Sequence, residues 1–217
     1  MSMKKNICLL FFLILSLSGK AQDGYCLSFS DYQSNIWHTV ENLRFEYRSG
    51  NKSLWHRGAS FKPITDDKKT DKILKKEARL ILYHDSLYIN CRGLSYQHTK
   101  FGNWYAPACI FSHDYFLFTA LSTKAIKQTA YSSMMFGVIG GAIAASKYKE
   151  DYMCYVFYPN SNTVEAVDQK MMNQLLEDHP ILKEQYAKVD EVQQHAPETV
   201  IPILQELGLI NESPLLP

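Results

Sequence analysis

The sequence predicts an α+β protein: an antiparallel β-sheet or half-open barrel, interrupted by a Gly/Ala-rich insertion and followed by C-terminal helices. Three observations predict it. Paired runs of β-branched and aromatic residues flank short polar turns before residue 168. After residue 168 the apolar spacing becomes that of helices. Between the second and third strand pairs, residues 134–145 (MMFGVIGGAIAA) run without a polar side chain.

The chain opens with the pattern of an export signal. Lys4 and Lys5 precede an apolar run over 7–17, and Gly19 and Ala21 stand where a signal peptidase reads small residues. The predicted organisation is a signal peptide at 1–21, a β-rich domain at 22–167 with its insertion at about 129–149, and a helical segment at 168–217 packed on it. The expected location is therefore exported, periplasmic or secreted. Removing residues 1–21 leaves 196 residues, enough for one domain with its own core. It also removes Lys4, Lys5 and Lys20, taking the formal charge from +1 to −2. That balance lacks the basic face nucleic-acid binding requires, so no nucleic-acid partner is expected.

Strand signals follow in order. Residues 30–35 are read as a short helix with Ser30 as its cap. Residues 43–48 (LRFEYR) alternate apolar and charged side chains; after a turn at 49–51, residues 54–61 are read as the answering strand. The charge-rich stretch 63–79 is read as a solvated loop or surface helix. Residues 80–83 and 86–91 flank His84-Asp85 as a hairpin, with Leu87, Ile89 and Cys91 on one face and Tyr88, Asn90 and Arg92 on the other. Residues 104–111 and 115–119 flank a second turn at Ser112-His113-Asp114, and Pro107 predicts an edge or bulged strand there. A third pair, 152–158 and 163–167, flanks Pro159 to Asn162. In the tail, Asp168 is read as a helix cap, His179-Pro180 as a break, Thr199 as the last cap with Pro202 in the first turn, and Gly208 as a stop. Ile181, Leu182, Tyr186 and Val189 are read as one buried stripe.

The run at 134–145 is the least ordinary segment. Twelve helical residues cover about 18 Å, short of a bilayer core of about 30 Å, so a single transmembrane span is not expected. Glycine inside a helix costs about 1 kcal/mol against alanine, so three of them call for a reason. Gly137, Gly141 and Ala145 recur every four residues, with Gly140 beside them, and on a helix they would form a small-residue ridge. Two readings stand: buried filler against the sheet, or an interaction strip for self-association or a membrane-associated protein partner. Gly137, Gly140, Gly141 and Ala145 are the candidate interaction residues.

Enzymatic motifs are sparse. The seven histidines form no HExxH and no pair three to five apart, and neither a nucleophile elbow nor a phosphate-binding glycine loop occurs. No catalytic residue, metal ligand or cofactor is assigned. His84-Asp85 and His113-Asp114 could meet at one end of the sheet, although Asp favours turns for its own reasons. Asp85-Ser86-Leu87 resembles a three-residue O-glycosylation motif of exported bacterial proteins. Beyond the signal stand Cys26, Cys91, Cys109 and Cys154, which allow three disulfide pairings or none.

The order of these features resembles a family of exported bacterial proteins among the domains of unknown function. The features are the Ala21-Gln22 boundary, the opening at 25–35, the LYIN strand at 87–90, the glycine run at 137–145, the hairpin at 152–167 and the helical stretch at 176–186. The resemblance covers most of the chain beyond the signal and implies export and architecture, with no activity attached. The expected function is a non-catalytic extracytoplasmic envelope protein that binds or self-associates through the glycine-bearing segment. The alternative is an envelope hydrolase or carbohydrate-active enzyme whose site is assembled from dispersed residues.

Overall fold

A computed structural model describes residues 23–47, 60–148, 151–191 and 193–214. The predicted signal at 1–21, the turn at 49–51 and all but the end of the strand expected at 54–61 lie outside these residues. The strands are β1 (Gly24–Cys26), β2 (His38–Thr39), β3 (Arg44–Tyr47), β4 (Phe61–Ile64), β5 (Leu80–Tyr83), β6 (Ser86–Asn90), β7 (Ser95–Tyr96), β8 (Thr99–Lys100), β9 (Tyr105–Phe111), β10 (Tyr115–Leu121), β11 (Tyr152–Tyr158) and β12 (Thr163–Ala166). The helices are α1 (Phe29–Gln33), α2 (Lys68–Lys76), α3 (Thr123–Tyr148), α4 (Gln169–Leu175), α5 (Pro180–Ala187) and α6 (Pro197–Glu206).

The fold is α+β, built on one open antiparallel sheet in the order β12-β11-β10-β9-β6-β5-β1-β2. Strands β12 and β2 end that order without pairing to each other, so among the described residues the sheet is open and not a closed barrel. The three expected hairpins are its framework. In the tightest, Tyr83 faces Ser86, and His84 and Asp85 take φ values of 47° and 62°. Two consecutive left-handed residues are what a two-residue type I′ turn demands.

Pro107 departs from expectation. It lies inside the sheet, opposite Tyr88 of β6, and not on an outer edge. The ladder from β9 to β10 stops at Ala108–Phe118, and two residues before Pro107 the same strand pairs Tyr105 with Phe61 of β4. Pro107 therefore sits where β9 changes partner, a place where no ladder donor is needed.

Alternation along the strands sends apolar groups to both faces. Phe116, Phe118, Tyr155 and Phe157 join Leu80, Ile89, Cys91 and Phe101 in the main core, against which Phe29 and Tyr32 of α1 pack. On the opposite face Leu117, Cys154 and Val156 meet Met172, Leu176, Tyr186, Val200 and Leu204 from α4, α5 and α6. At the other end of the sheet, Ile81, Tyr88 and Tyr105 are covered by Leu74 of α2 together with Val40 and Leu43. The charge-rich stretch is thus a surface helix with one buried leucine. A buried polar knot holds its end: the Tyr105 hydroxyl donates to the Leu74 carbonyl at 2.6 Å, and Asn90 Nδ2 donates to the Ala78 carbonyl at 2.8 Å.

Several helix ends differ from the sequence reading. Ser28, not Ser30, caps α1; it forms a capping box in which the Asp31 N–H donates to Ser28 Oγ at 3.0 Å and the Ser28 N–H donates to the Asp31 carboxylate at 2.9 Å. Helix α6 starts at Pro197, so Pro202 falls inside it and Thr199 is not its cap. Ile181 is exposed, leaving Leu182 and Tyr186 to face the core. Asp168 does cap α4, and Gly208, at φ 68°, ends α6.

All four described cysteines are buried and unpaired. Cys109 on β9 faces Leu117, and Cys154 on β11 faces Thr119, with β10 between them. Two strand spacings of about 4.8 Å put those Cα atoms about 10 Å apart, beyond disulfide reach. Cys26 on β1 and Cys91 beyond β6 are separated likewise by β5. Burial pushes the Cys26 and Cys109 thiols up to about 12 and raises those of Cys91 and Cys154 as well. A thiol reagent is therefore expected to leave these four unmodified in the native chain and to modify all of them in guanidinium. A reducing agent should leave the Tm unchanged; a fall in Tm on reduction would show a disulfide the fold does not contain.

Candidate functional site

Strands β10 and β11 pair side by side from Phe116–Phe157 to Leu121–Tyr152, yet α3 lies between them in sequence. The helix is broken at Gly137, whose φ of 64° and ψ of −156° fall in a region essentially reserved for glycine. Residues 123–136 rise about 20 Å and residues 138–148 about 16 Å. Two residues join Tyr148 to Asp151, which is hydrogen-bonded to Ser122. The closing distance is short against both arms, so the arms lie beside each other and Gly137 forms the tip of a helical hairpin.

Burial along the hairpin changes from root to head. Ala125 and Ile126 are embedded in the main core, and Thr129, Gly141 and Ala144 are buried. Near the tip the large apolar side chains are open to solvent: Met134 is 85% exposed, Phe136 71%, Ile143 68%, Tyr131 59% and Met135 55%. The glycine ridge read from the sequence is split. Gly137 leaves the helix, so it does not share a helical face with Gly141; it is the reversal point, and Gly141 is buried. Gly140 and Ala145 fall within α3, but their surroundings lie outside the described residues.

The root is fastened through two residues. The Ser122 N–H donates to the Asp151 carbonyl at 2.7 Å, and Ser122 Oγ donates to Asp151 Oδ2 at 2.6 Å. Ser122 Oγ also accepts from the Ala125 N–H at 3.0 Å, which makes it the cap of α3. The Thr123 N–H, a further donor of the first turn, is taken by the Tyr155 hydroxyl at 3.2 Å. His195, just before α6, places Nε2 3.4 Å from Asp151 Oδ1 and so ties the C-terminal helices to the same carboxylate. Burial would raise the Asp151 carboxyl, but the hydrogen bonds from His195 and Ser122, with the charges of His195 and Lys124, outweigh it and hold the group below its ordinary value.

These residues line a cleft of about 950 Å³ with Lys124, Lys147, Asp168, Glu191 and Glu198. Ser122, Asp151 and His195 lie within hydrogen-bond reach, but in the wrong order for nucleophilic catalysis. A serine nucleophile needs the imidazole between it and the carboxylate. Here the carboxylate is in the middle, and the Ser122 hydroxyl is spent on it. Asp168 is likewise spent, accepting from the Met171 N–H at 3.0 Å.

The two His-Asp turns fall at one end of the sheet, since β6 begins where β9 ends. They do not form a cluster: His84 stacks on Tyr83 at 4.0 Å, and no hydrogen bond or ion pair among the described residues joins it to His113 or Asp114. Among the described residues no group of three or more His, Cys, Asp or Glu could hold a metal ion, and no helix is long and apolar enough to cross a membrane. The sequence reading missed Ser122, Asp151 and His195. Their separations of 29 and 44 residues make no motif, although a serine before a helix-forming run could have identified Ser122 as a cap.

A protein-family model described as a family of unknown function, DUF6563, matches residues 24–211, and the chain belongs to that family. No curated protein and no solved structure matches it.

Two variants test the hairpin's anchoring. Asp151→Asn removes charge-assisted hydrogen bonds at the root and is expected to cost about 1–3 kcal/mol, with earlier proteolytic cleavage in the hairpin than in the sheet. Because the folded-state pKa of Asp151 is lowered, its contribution is fully present above its unfolded value and is lost as pH falls through the folded one. The stability gap between wild type and variant should therefore shrink on acidification below about pH 4. At Gly137 an added Cβ would meet nothing within 4 Å, so Gly137→Ala reports backbone strain alone. It is expected to cost about 1–3 kcal/mol in urea unfolding. A neutral result would show that the hairpin does not turn there.

Proposed function

We propose that this member of the DUF6563 family is a non-catalytic extracytoplasmic protein of a bacterial envelope that docks through the head of its helical hairpin. One observation carries the reading. Tyr131, Met134, Met135, Phe136 and Ile143 are all exposed on one element, whereas the other exposed large apolar residues among those described, Leu27, Ile36, Tyr47 and Ile181, lie outside it. Single exposed apolar side chains are ordinary; a contiguous group on a projection marks a contact surface. Removing each from water is worth about 1.5–3 kcal/mol, enough in sum to hold a docked state. The export half of the reading rests on Lys4, Lys5, the apolar run at 7–17 and Ala21.

The enzymatic alternative draws on the cleft, where Ser122, Asp151 and His195 gather beside several carboxylates. A fluorophosphonate that labels Ser122, with labelling lost in His195→Ala, would favour a hydrolase. The linkage order described above predicts no labelling.

Fractionating cells that export the chain tests docking. Wild type is expected in the envelope fraction, and Met134→Ser with Phe136→Ser is expected in the soluble fraction. Both side chains are exposed, so the Tm of the double variant should match wild type. Unchanged retention of a folded double variant would overturn the reading.

A further inference from the structure

We infer that the surface the hairpin head enters is an anionic lipid bilayer, which the head penetrates to the depth of the headgroups and upper acyl chains. The inference rests on the docking reading and names its partner. The hairpin from Thr123 to Tyr148 contains Lys124, Lys127 and Lys147 and no aspartate or glutamate. Those three charges sit in a chain whose formal charge beyond residue 21 is −2, so the rest of that chain carries −5. Lys124 and Lys147 share the cleft at the root with Asp151, Asp168, Glu191 and Glu198, whereas Lys127 lies outside it, so Lys127 is the charge the hairpin brings toward an anionic surface.

The levels along the hairpin match those of a bilayer boundary. Counted from Gly137 along the helical rise, Lys127 lies about 15 Å back, Lys147 about 15 Å and Lys124 about 20 Å, so both arms carry their lysines at a similar height. Tyr131 lies about 9 Å back, between the lysines and the apolar tip. Interfacial elements bury about 5–10 Å of apolar surface, place tyrosine at the boundary and keep lysine among the phosphates. Entry also requires that polar groups near the head be satisfied internally. Ser133, in the outgoing arm, donates its hydroxyl to the Thr129 carbonyl at 2.8 Å, whereas the buried Thr129 Oγ1, about 12 Å back from Gly137, has no partner among the described residues. A second copy of the chain fits less well, because joining two heads would bring two sets of lysines together with no carboxylate on either hairpin.

Sedimentation with sucrose-loaded vesicles tests this, using the exported chain so that every variant shares one N-terminus. Wild type is expected to bind phosphatidylglycerol–phosphatidylcholine vesicles at least tenfold more tightly than phosphatidylcholine alone. Lys127→Gln should weaken binding roughly fivefold, and Met134→Ser with Phe136→Ser should abolish it. A second measurement uses Met135→Cys labelled with bimane, which the buried native thiols do not compete for. Its emission should shift to the blue on phosphatidylglycerol vesicles. Vesicle binding that is equal in wild type and the head variant overturns the inference. No vesicle binding, with self-association that the head variant loses, overturns the lipid partner and leaves docking standing. Identical behaviour of wild type and head variant here and in cell fractionation overturns both.

Discussion

The contact between Ser122 and Asp151 is the constraint on which the projecting part of the molecule depends. Strands β10 and β11 are neighbours in the sheet but 31 residues apart in sequence at their paired ends, Leu121 and Tyr152. Joining the residues just beyond those ends by a backbone and a side-chain hydrogen bond makes everything between them a closed loop with a fixed base. A closed loop of helical chain must reverse, and Gly137 is where it does so without a Cβ to strain. The same Asp151 carboxylate receives His195, so the base is tied on its other side to the C-terminal helices.

The rest of the molecule gives that base its rigidity. The sheet is covered on both faces: by α1 and the root of α3 on one, and by α2 and the C-terminal helices on the other. Leu117, Tyr155, Leu74 and Leu204 have no solvent exposure. The hairpin head is the exception, with Met134 85% and Phe136 71% exposed. An apolar group left outside a well-sealed core is better explained by a contact it makes elsewhere than by a failure of packing.

Much of this fold was legible because its signals are local. Three hairpins were written in period-two runs around short turns, and Asp168 and Gly208 marked their helix ends by ordinary capping chemistry. The misreadings share one cause, which is that tertiary pairing decided them. Pro107 reads as an edge residue until β9 is seen to exchange β10 for β4 beside it. The four cysteines allow pairings until the strand order places another strand between each facing pair. The glycines stood out by their spacing, but spacing alone could not show that Gly137 has a positive φ and that Gly141 is buried. Ser122, Asp151 and His195 come from three separate stretches of chain, and their meeting follows from the closure of the hairpin.

Hydrogen–deuterium exchange over the hairpin, with and without envelope membranes, tests the docking of its head most directly. Amides at 131–136 should exchange quickly in the free chain and slowly on membranes, while those at 123–126 and in β9 to β11 stay protected throughout. Head amides that exchange at the same rate in both conditions would contradict a docking role for the hairpin.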